Sequence, residues 1–463
     1  MSYSNKLHTI LSFLKESFSS EHKDFTTGSL RKAIFLLAIP MMIEMVAESV
    51  FALVDIFFVS QLGPKAIATV GLTEGVMAII YSIAFGLGMA ITAMVARRVG
   101  EKNYDAASKA GAQSIMLAIT LSIVIGACGF FFPKNILLLM GASKETTAYG
   151  FIFTKILISG NVVIMLIHLM NGIFRGAGDA AIAMKSLLLA NICNIIFCPL
   201  FIKVFGLGIQ GAAIATTTGR AIGVCFQLYQ LLKGKGIIKM YLKYFLPDVA
   251  ILKALLSVAV TATLQFIVAS ASWIAMARIM AGFGDKAVSG YTIAIRLLVF
   301  FIMPAFGLSN AAATLVGQNL GAKQPDRAEQ SVWKVTKYNA VFMAAVSVFF
   351  LLFAEFFVAF ITDDVEAIAI GVKALRIISL GYIFFGVGMV MMNAFNGAGD
   401  SKTPTWIHLF WFWVFQIPLA YLAAVVLNWG PKGVFIAIVV TETLVTITSL
   451  ILFKRGKWKL VKI

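Results

Sequence analysis

The chain has 463 residues, of which 60% are apolar and only 13% are charged. Soluble globular domains carry about 45–50% apolar and about 25% charged residues, so this composition excludes a water-soluble enzyme. It also excludes a disordered chain. A net charge of +17 would suggest nucleic-acid binding in a soluble protein. Here it predicts basic loops on one side of a polytopic membrane protein, with the lipid bilayer and no nucleic acid as its surroundings.

Long apolar segments follow one another along the chain, each sufficient for a transmembrane helix of about 20 residues. The first six lie near residues 33–62, 67–95, 111–132, 148–174, 181–205 and 208–232. Six more lie near 254–283, 287–316, 332–361, 371–396, 403–428 and 430–453. These segments are too long for the strands of a β-barrel, which have about 9–11 residues, and apolar and polar residues do not alternate along them as such strands require. The prediction is an all-α membrane protein with twelve transmembrane helices.

The distribution of Lys and Arg predicts the orientation of these helices. With both termini in the cytoplasm, 26 of these residues lie on the cytoplasmic side, 9 lie on the other side, and three lie within spans. This bias predicts a multi-pass protein of the plasma (inner) membrane with both termini cytoplasmic. The predicted division is a cytoplasmic N-terminal tail (1–32), an N-lobe (33–232), a basic cytoplasmic linker (233–253), a C-lobe (254–453) and a cytoplasmic C-terminal tail (454–463).

An internal repeat relates the two lobes. Residues 63–66 (Gly-Pro-Lys-Ala) recur at 284–287 (Gly-Asp-Lys-Ala), and a Gly-Ala-Gly-Asp loop occurs at both 176–179 and 397–400. Both pairs are separated by 221 positions, as are Gly100 and Gly321, so the halves are homologous. Matched loops fall on the same side of the membrane, which predicts a parallel repeat with two pseudo-symmetric six-helix lobes. Transporters of this kind place a substrate cavity between the lobes and rock around it.

Several motifs resemble the MATE (multidrug and toxic compound extrusion) family. They are residues 302–308 (Ile-Met-Pro-Ala-Phe-Gly-Leu), 315–322 (Leu-Val-Gly-Gln-Asn-Leu-Gly-Ala), 55–63 (Asp-Ile-Phe-Phe-Val-Ser-Gln-Leu-Gly) and the two Gly-Ala-Gly-Asp loops. The resemblance covers about residues 30–455 and is nearer to the DinF-like branch. It implies a secondary active antiporter that exports organic, often cationic, compounds in exchange for H⁺ or Na⁺. We expect Gln318 and Asn319 to bind loose backbone carbonyls rather than substrate.

Three acidic residues lie within the first predicted span. Glu44, Glu48 and Asp55 fall on one stripe of the helix at about 100° per residue. A charge at the centre of a bilayer costs roughly 2.5–3.5 kcal/mol or more, so the stripe is expected to face a cavity or the lobe interior. We therefore predict a cation-coupling site there.

The resemblance supplies neighbours for this site. Asp55 occupies the place of the coupling acid of the DinF-like branch, and Asn194 and Thr216 resemble its polar partners. Cys198 stands where archaeal members have a second Asp, and Glu44 or Glu48 would have to replace it. Because a neutral thiol is a poor Na⁺ ligand, the sequence favours H⁺ as the coupling ion over Na⁺, with no cofactor and no metal site.

The C-lobe carries fewer charges. The NorM-like branch has acids in spans 7 and 10, but here span 7 offers Gln265, the repeat partner of Glu44, and span 10 has no acid. A carboxylate-based cation site is therefore not expected in this lobe. Gln265, Met389, Met392 and Arg296 are predicted to line a substrate cavity. Arg220 and Glu442, at nearly matching positions in spans 6 and 12, could pair with each other.

The predicted function is proton-coupled efflux of small organic molecules by a monomeric, non-enzymatic transporter that alternates between two lobes. A Na⁺-coupled antiporter and a lipid-linked oligosaccharide flippase of the same superfamily remain alternatives. A flippase would show extra spans and a strongly cationic cavity. A membrane-embedded enzyme would need a His-rich or Asp-rich loop motif, and a channel would not need buried acids in duplicated halves.

Overall fold

The computed structural model describes residues 15–19, 23–234 and 236–463. Its secondary structure is helical, and these residues contain no β-strand. Most of the predicted N-terminal tail therefore lies outside the described residues. The described residues nearest the N-terminus and those nearest the C-terminus lie on the same side of the molecule, which we call the terminal end. There Phe25 lies against Gly178, and Ile463 lies against Gly399.

The helices follow the order predicted from the apolar segments. The N-lobe contains α1 (Leu30–Ser60), α2 (Pro64–Gly100), α3 (Tyr104–Phe131), α4 (Pro133–Leu139), α5 (Lys144–Ser159), α6 (Asn161–Ala177), α7 (Ala180–Pro199) and α8 (Gly208–Leu232). The C-lobe contains α9 (Val249–Ala281), α10 (Asp285–Gly321), α11 (Pro325–Ala359), α12 (Val365–Leu380), α13 (Tyr382–Ala398), α14 (Lys402–His408), α15 (Ile417–Tyr421) and α16 (Pro431–Lys454). Stretches of π-helix extend α7 and connect α14 through α15.

Twelve spans account for these helices. Ten segments of the described chain are long and apolar enough to cross a membrane, and α12 with α13 forms an eleventh span that bends by 55°. The twelfth is α8, which has 25 residues. At 1.5 Å per residue it is long enough to cross a bilayer core of about 30 Å. Gln, Thr and Arg side chains make it less apolar than the others.

The internal repeat is visible in the helix boundaries. The pairs α2 and α10, and α6 and α13, begin and end 221 positions apart. From the last π-helical segment, Leu422–Val426, onward the offset becomes 222, because this segment matches Leu200–Val204. Gly211 lies against the backbone of Phe201, and Gly433 lies against that of Ala423, which is the same contact 222 positions on. Each lobe has its own apolar core.

The two lobes approach most closely near the terminal end, in a pseudo-symmetric pair of contacts. A Cβ on Gly100 would lie 1.9 Å from the carbonyl oxygen of Gln318, and one on Gly321 would lie 2.1 Å from that of Arg97. Gln318 also donates a hydrogen bond of 3.0 Å to the carbonyl of Gly176 in the other lobe. Glycine is therefore required at both repeated positions.

The recurrence of the Gly-Ala-Gly-Asp loop at the same position in both lobes also has a structural cause. Gly178 and Gly399 end α6 and α13 with φ of 86° and 90°, a left-handed conformation that favours glycine. Asn319, the second amide of the motif at 315–322, donates to the carbonyl of Leu315. The expectation that Gln318 and Asn319 bind backbone carbonyls is confirmed.

At the end opposite to the termini, Glu74 of α2 and Arg296 of α10 both have exposed side chains, and we call the space between them the cleft. They belong to different lobes and still interact electrostatically, and Glu74 also interacts with Asp55. The lobes are therefore in tight contact at the terminal end, whereas at the other end each lobe presents an exposed charged side chain, with Asp55 within electrostatic range of Glu74.

The basic linker is fixed to the N-lobe at the terminal end. Gln113 of α3 donates hydrogen bonds of 2.6 Å and 2.7 Å to the carbonyls of Tyr244 and Leu246. Lys109 forms an ion pair of 2.6 Å with Asp248, and this hydrogen bond holds the pKa of that carboxyl below its usual value. The linker thus packs on α3 before it enters α9.

Candidate functional site

Asp55, near the C-terminal end of α1, is surrounded by neutral polar side chains. Its Oδ1 accepts a hydrogen bond of 3.0 Å from Asn194 Nδ2 and lies 3.6 Å from Cys198 Sγ. Its Oδ2 accepts a bond of 2.9 Å from Thr216 Oγ1. These partners come from α7 and α8, so the structure brings together the four residues that the sequence predicted. Asp55 itself is half-buried.

Glu44 and Glu48 have different surroundings, because each forms an ion pair with an arginine. Glu44 is fully buried, and its Oε1 lies 3.1 Å from Arg175 Nη1 of α6. Glu48 Oε1 lies 2.7 Å from Arg220 Nη2 of α8. The acidic stripe does face the lobe interior. Neither glutamate hydrogen-bonds with Asp55, so neither occupies the place of a second acid beside it.

Both ion pairs belong to wider polar networks. Asn171 donates a hydrogen bond of 2.9 Å to Glu44 and accepts one from Gln227. Arg220 lies with its guanidinium 4.3 Å from the centre of the Phe51 ring and donates a bond of 3.2 Å to the hydroxyl of Tyr81. A buried charge is tolerated only when it is paired and hydrogen-bonded. The networks therefore explain how α1 carries two glutamates through the membrane.

The C-lobe contains a cavity of about 160 Å³ between α9, α10, α13, α14 and α16, with Met89 of α2 on its wall. The predicted residues Gln265, Met389 and Met392 line it. Arg296 does not, since its exposed side chain lies in the cleft between the lobes. Most of the wall is aromatic or Met, a composition that suits small organic ligands.

Glu442 of α16 also lines this cavity. Its repeat partner Arg220 is paired with Glu48, so the alternative of an Arg220–Glu442 pair is wrong. A carboxylate therefore reaches the C-lobe cavity from span 12, whereas the sequence considered only spans 7 and 10. The signal that could have found it is the one-residue shift of the repeat from 221 to 222.

Two arginine partners were also missed from the sequence. Arg175 lies directly before the first Gly-Ala-Gly-Asp loop and could be interpreted as a basic turn residue. Arg220 lies within span 6, where its charge shows that it needs a partner but not which acid that partner is. Among the described residues, no three His, Cys, Asp or Glu side chains converge as a metal site requires. The Asp55 cluster is thus a single-carboxylate site.

Comparison with known proteins identifies the wider family. The profile described as MatE matches residues 40–200 and 261–422. A Bacillus subtilis protein named "Probable multidrug resistance protein YpnP" is 24% identical, with 95% of this chain and 98% of the relative covered. A Shewanella oneidensis protein named "FAD transporter" is 26% identical, with 93% and 95% covered.

Solved structures agree with this comparison. One described as the outward-facing conformation of a multidrug resistance MATE family transporter of the MOP superfamily superposes with a TM-score of 0.90. It is 27% identical to this chain and covers 95% of it, and 99% of that structure is covered. The fold and the lobe arrangement are therefore shared with known transporters.

Proposed function

The chain belongs to the MatE family of multidrug efflux transporters, and from this premise we propose that it is an antiporter that exports organic cations in exchange for protons bound at Asp55. The observation that carries the proposal is the contrast among the three acids of α1. Glu44 and Glu48 are each held by an arginine, whereas Asp55 has only neutral hydrogen-bond partners. Of the three, Asp55 is thus the carboxylate that can gain and lose a proton without breaking an ion pair.

The mechanism follows from the position of Asp55. In the conformation open at the end opposite to the termini, Asp55 lies near the cleft, and a proton can reach it from that side. Protonation would weaken its acceptance of hydrogen bonds from Asn194 and Thr216 and loosen the packing of α1 against α7 and α8. Substrate would then leave outward, and closure of the cleft with opening of the terminal end would release the proton inside.

Glu44 and Glu48 support the site in this proposal rather than exchange the proton. Their arginines, Arg175 and Arg220, fix α6 and α8 against α1. Arg220 also interacts electrostatically with Asp55. We assign the pair Glu48–Arg220 to setting the local field at Asp55, and the pair Glu44–Arg175 to holding the lobe together nearer the terminal end.

Na⁺ coupling is the alternative that the same cluster must be tested against. The available oxygens belong to Asp55, Thr216 and Asn194, whose Oδ1 is buried without a partner. Cys198 contributes sulfur, which is a poor ligand for a hard cation. These three side chains supply four oxygens, two of them from one carboxylate, which is few for Na⁺, so the cluster favours the proton. The assignment to the DinF-like branch remains part of this proposal.

An anionic substrate is less well supported. One relative is named "FAD transporter", after a compound that carries negative phosphates. The cavity of this chain instead presents the carboxylate of Glu442 and no Lys or Arg on its wall. A like charge in a buried site disfavours a ligand, so organic cations are the proposed substrates.

The test is transport by purified protein in proteoliposomes. An imposed pH gradient should drive uptake of a fluorescent organic cation, and a Na⁺ gradient should not. Asp55→Asn should abolish this uptake while equilibrium binding of the cation is retained. The matched control is Asp363→Asn, an exposed acid in the loop between α11 and α12, which should transport at the rate of the parent. Undiminished transport by Asp55→Asn would refute the proposal. If only a Na⁺ gradient drove uptake, the coupling ion would be Na⁺ instead of H⁺.

A further inference from the structure

The C-lobe cavity is built like a receptor for a small aromatic group. Its volume is about 160 Å³ and its wall includes Phe266, Trp273, Phe306, Phe385, Met389 and Phe412. A dry cavity of about 150 Å³ lined by apolar side chains accommodates benzene. The space therefore corresponds to one aromatic ring with a compact substituent, which is smaller than a typical multi-ring drug.

One charged group lies in this apolar wall. Glu442 is 8% exposed, at the middle of α16. Within the described residues it makes no hydrogen bond and no ion pair, and no charged side chain acts on it electrostatically. Glu442 also borders a second, small recess with a largely apolar wall, in which the other polar side chains are those of Ser272 and Gln416, hydrogen-bonded to each other at 2.7 Å. An unpartnered carboxylate in such surroundings is unfavourable unless a cation or a proton accompanies it.

The N-lobe shows what the C-lobe lacks. There the matching position is Arg220, which binds Glu48 of α1. At the place of Glu48, 221 positions further on, the C-lobe has Ala269, and this alanine lines the cavity. The C-lobe thus replaces an internal ion pair by a free carboxylate facing an empty space. The missing positive charge is the property that a ligand would have to supply.

We propose that the C-lobe cavity binds a small aromatic monocation, with Glu442 as its counter-charge and the aromatic wall around its ring. This assignment rests on the proposed export of organic cations and names the residue that selects their charge. A cation desolvated among aromatic faces gains cation–π attraction in addition to its pairing with the carboxylate. Neutral rings of the same shape would gain only the apolar contact.

His408 is the side chain that could replace the ligand cation. It lines the same cavity, and its Nδ1 is buried without a hydrogen-bond partner. Glu442 and His408 are the titratable side chains on the cavity wall. If a protonated His408 satisfied Glu442, no ligand charge would be needed. The variant His408→Phe keeps the ring volume and removes that option, so it separates the two arrangements.

The experiment measures equilibrium binding to the purified full chain by calorimetry. The probes are benzyltrimethylammonium and its neutral isostere 2,2-dimethylpropylbenzene, in which carbon replaces the quaternary nitrogen. Glu442→Gln should weaken binding of the cation at least tenfold and leave the neutral isostere unchanged. His408→Phe should bind the cation as tightly as the parent. Glu74→Gln, which removes an exposed acid outside the cavity, is the matched control and should behave like the parent.

Two further measurements test where the cation binds and whether the variants remain folded. Binding of the cation should quench tryptophan fluorescence, and Trp273→Phe should remove this change. Thermal unfolding verifies that Glu442→Gln remains folded. Equal binding of the cation by Glu442→Gln and the parent, or an equal loss for cation and isostere, would overturn the inference. Asp55→Asn should bind like the parent, so a failure of proton coupling can be distinguished from a failure of this site.

Discussion

The two lobes share one scaffold and differ in the charge of their interiors. In the N-lobe, Glu44 is paired with Arg175 at 3.1 Å. At the repeated positions the C-lobe has Gln265 and Asn396, whose amides form a hydrogen bond of 3.3 Å. The pairing of the two helices is kept while both charges are removed. The repeat therefore fixes which side chains meet, and the residue types decide the chemistry.

The same comparison extends to the functional residues. Asp55 corresponds to Met276, so the C-lobe has no equivalent of the proposed proton site. Arg220 corresponds to Glu442, and Glu48 corresponds to Ala269. In the N-lobe an ion pair therefore occupies the region where the C-lobe has a cavity. In the proposed mechanism one lobe carries the proton and the other recognises the ligand. Duplication followed by a few substitutions is sufficient for that division.

Breaking the N-lobe ion pair should have the largest effect. Arg220→Met leaves Glu48 as an uncompensated charge in the lobe interior, which typically costs about 3–5 kcal/mol. We expect a large fall in the thermal unfolding temperature in detergent. The double variant Arg220→Met with Glu48→Leu removes both charges and should recover most of the loss.

Arg296→Met is the matched control, because Arg296 is exposed in the cleft and forms no buried pair. Its unfolding temperature should stay close to that of the parent. If Arg220→Met were as stable as this control, the ion pair could not be what distinguishes the N-lobe interior.

The symmetric glycine contacts should come next. A Cβ at Gly100 or Gly321 would collide with a backbone carbonyl of the opposite lobe, and overpacking of this kind costs about 1–3 kcal/mol. Gly100→Ala should therefore destabilise closure of the terminal end. Spin labels at positions 102 and 323, with the exposed Cys128 and Cys225 replaced by Ser, should report longer and broader distances.

A glycine with free space provides the control for that experiment. An added Cβ at Gly71 of the same helix would meet nothing within 4 Å, so Gly71→Ala should leave the distance distribution unchanged. Because the contacts are pseudo-symmetric, Gly321→Ala should reproduce the effect of Gly100→Ala. A different response of the two variants would contradict equal contributions of the lobes to closure.

The sequence predicted the scaffold well for physical reasons. Apolar length determines a membrane span locally, and repeated loop motifs reveal duplication without any tertiary information. The cluster of Asp55 with Asn194, Thr216 and Cys198 was also predicted, through the family resemblance. These features depend on segments that can be identified one at a time along the chain.

The ion pairs and the second acid could not be predicted in this way. The pairs Glu44–Arg175 and Glu48–Arg220 join helices more than a hundred residues apart. Spans that are apolar on all sides do not reveal which face points inward. Glu442 was assigned to a possible pair because its position matches that of Arg220. Only the three-dimensional structure reveals that Arg220 already forms an ion pair with Glu48.

Making the C-lobe resemble the N-lobe should have a smaller effect, confined to the ligand. Ala269→Glu together with Glu442→Arg would place an ion pair across the cavity, as Glu48 and Arg220 do in the N-lobe. We expect at least a tenfold loss of benzyltrimethylammonium binding, or about 1.4 kcal/mol. The double variant should unfold at a higher temperature than Glu442→Arg alone. Parent-like binding of the cation would contradict the role assigned to the unpaired carboxylate.

The smallest expected effect concerns the two repeated loop aspartates. Asp400 accepts hydrogen bonds from the backbone and hydroxyl of Thr403, whereas Asp179 interacts with the backbone of Ile182 and leaves its Oδ1 buried without a partner. Burial raises the pKa of Asp179 to about 6, although the backbone of Ile182, Lys23 and Lys185 act in the opposite direction. The folded state therefore holds this proton more tightly than the unfolded state, and stability should fall as the pH rises from about 4 to about 6. Asp179→Asn should remove this decrease, which amounts to a few degrees in unfolding temperature.

Asp400→Ala should instead lower the temperature over the whole range, because it removes a helix cap that contributes about 1 kcal/mol. Identical pH profiles for the two variants would show that the loops are equivalent despite their different hydrogen bonds.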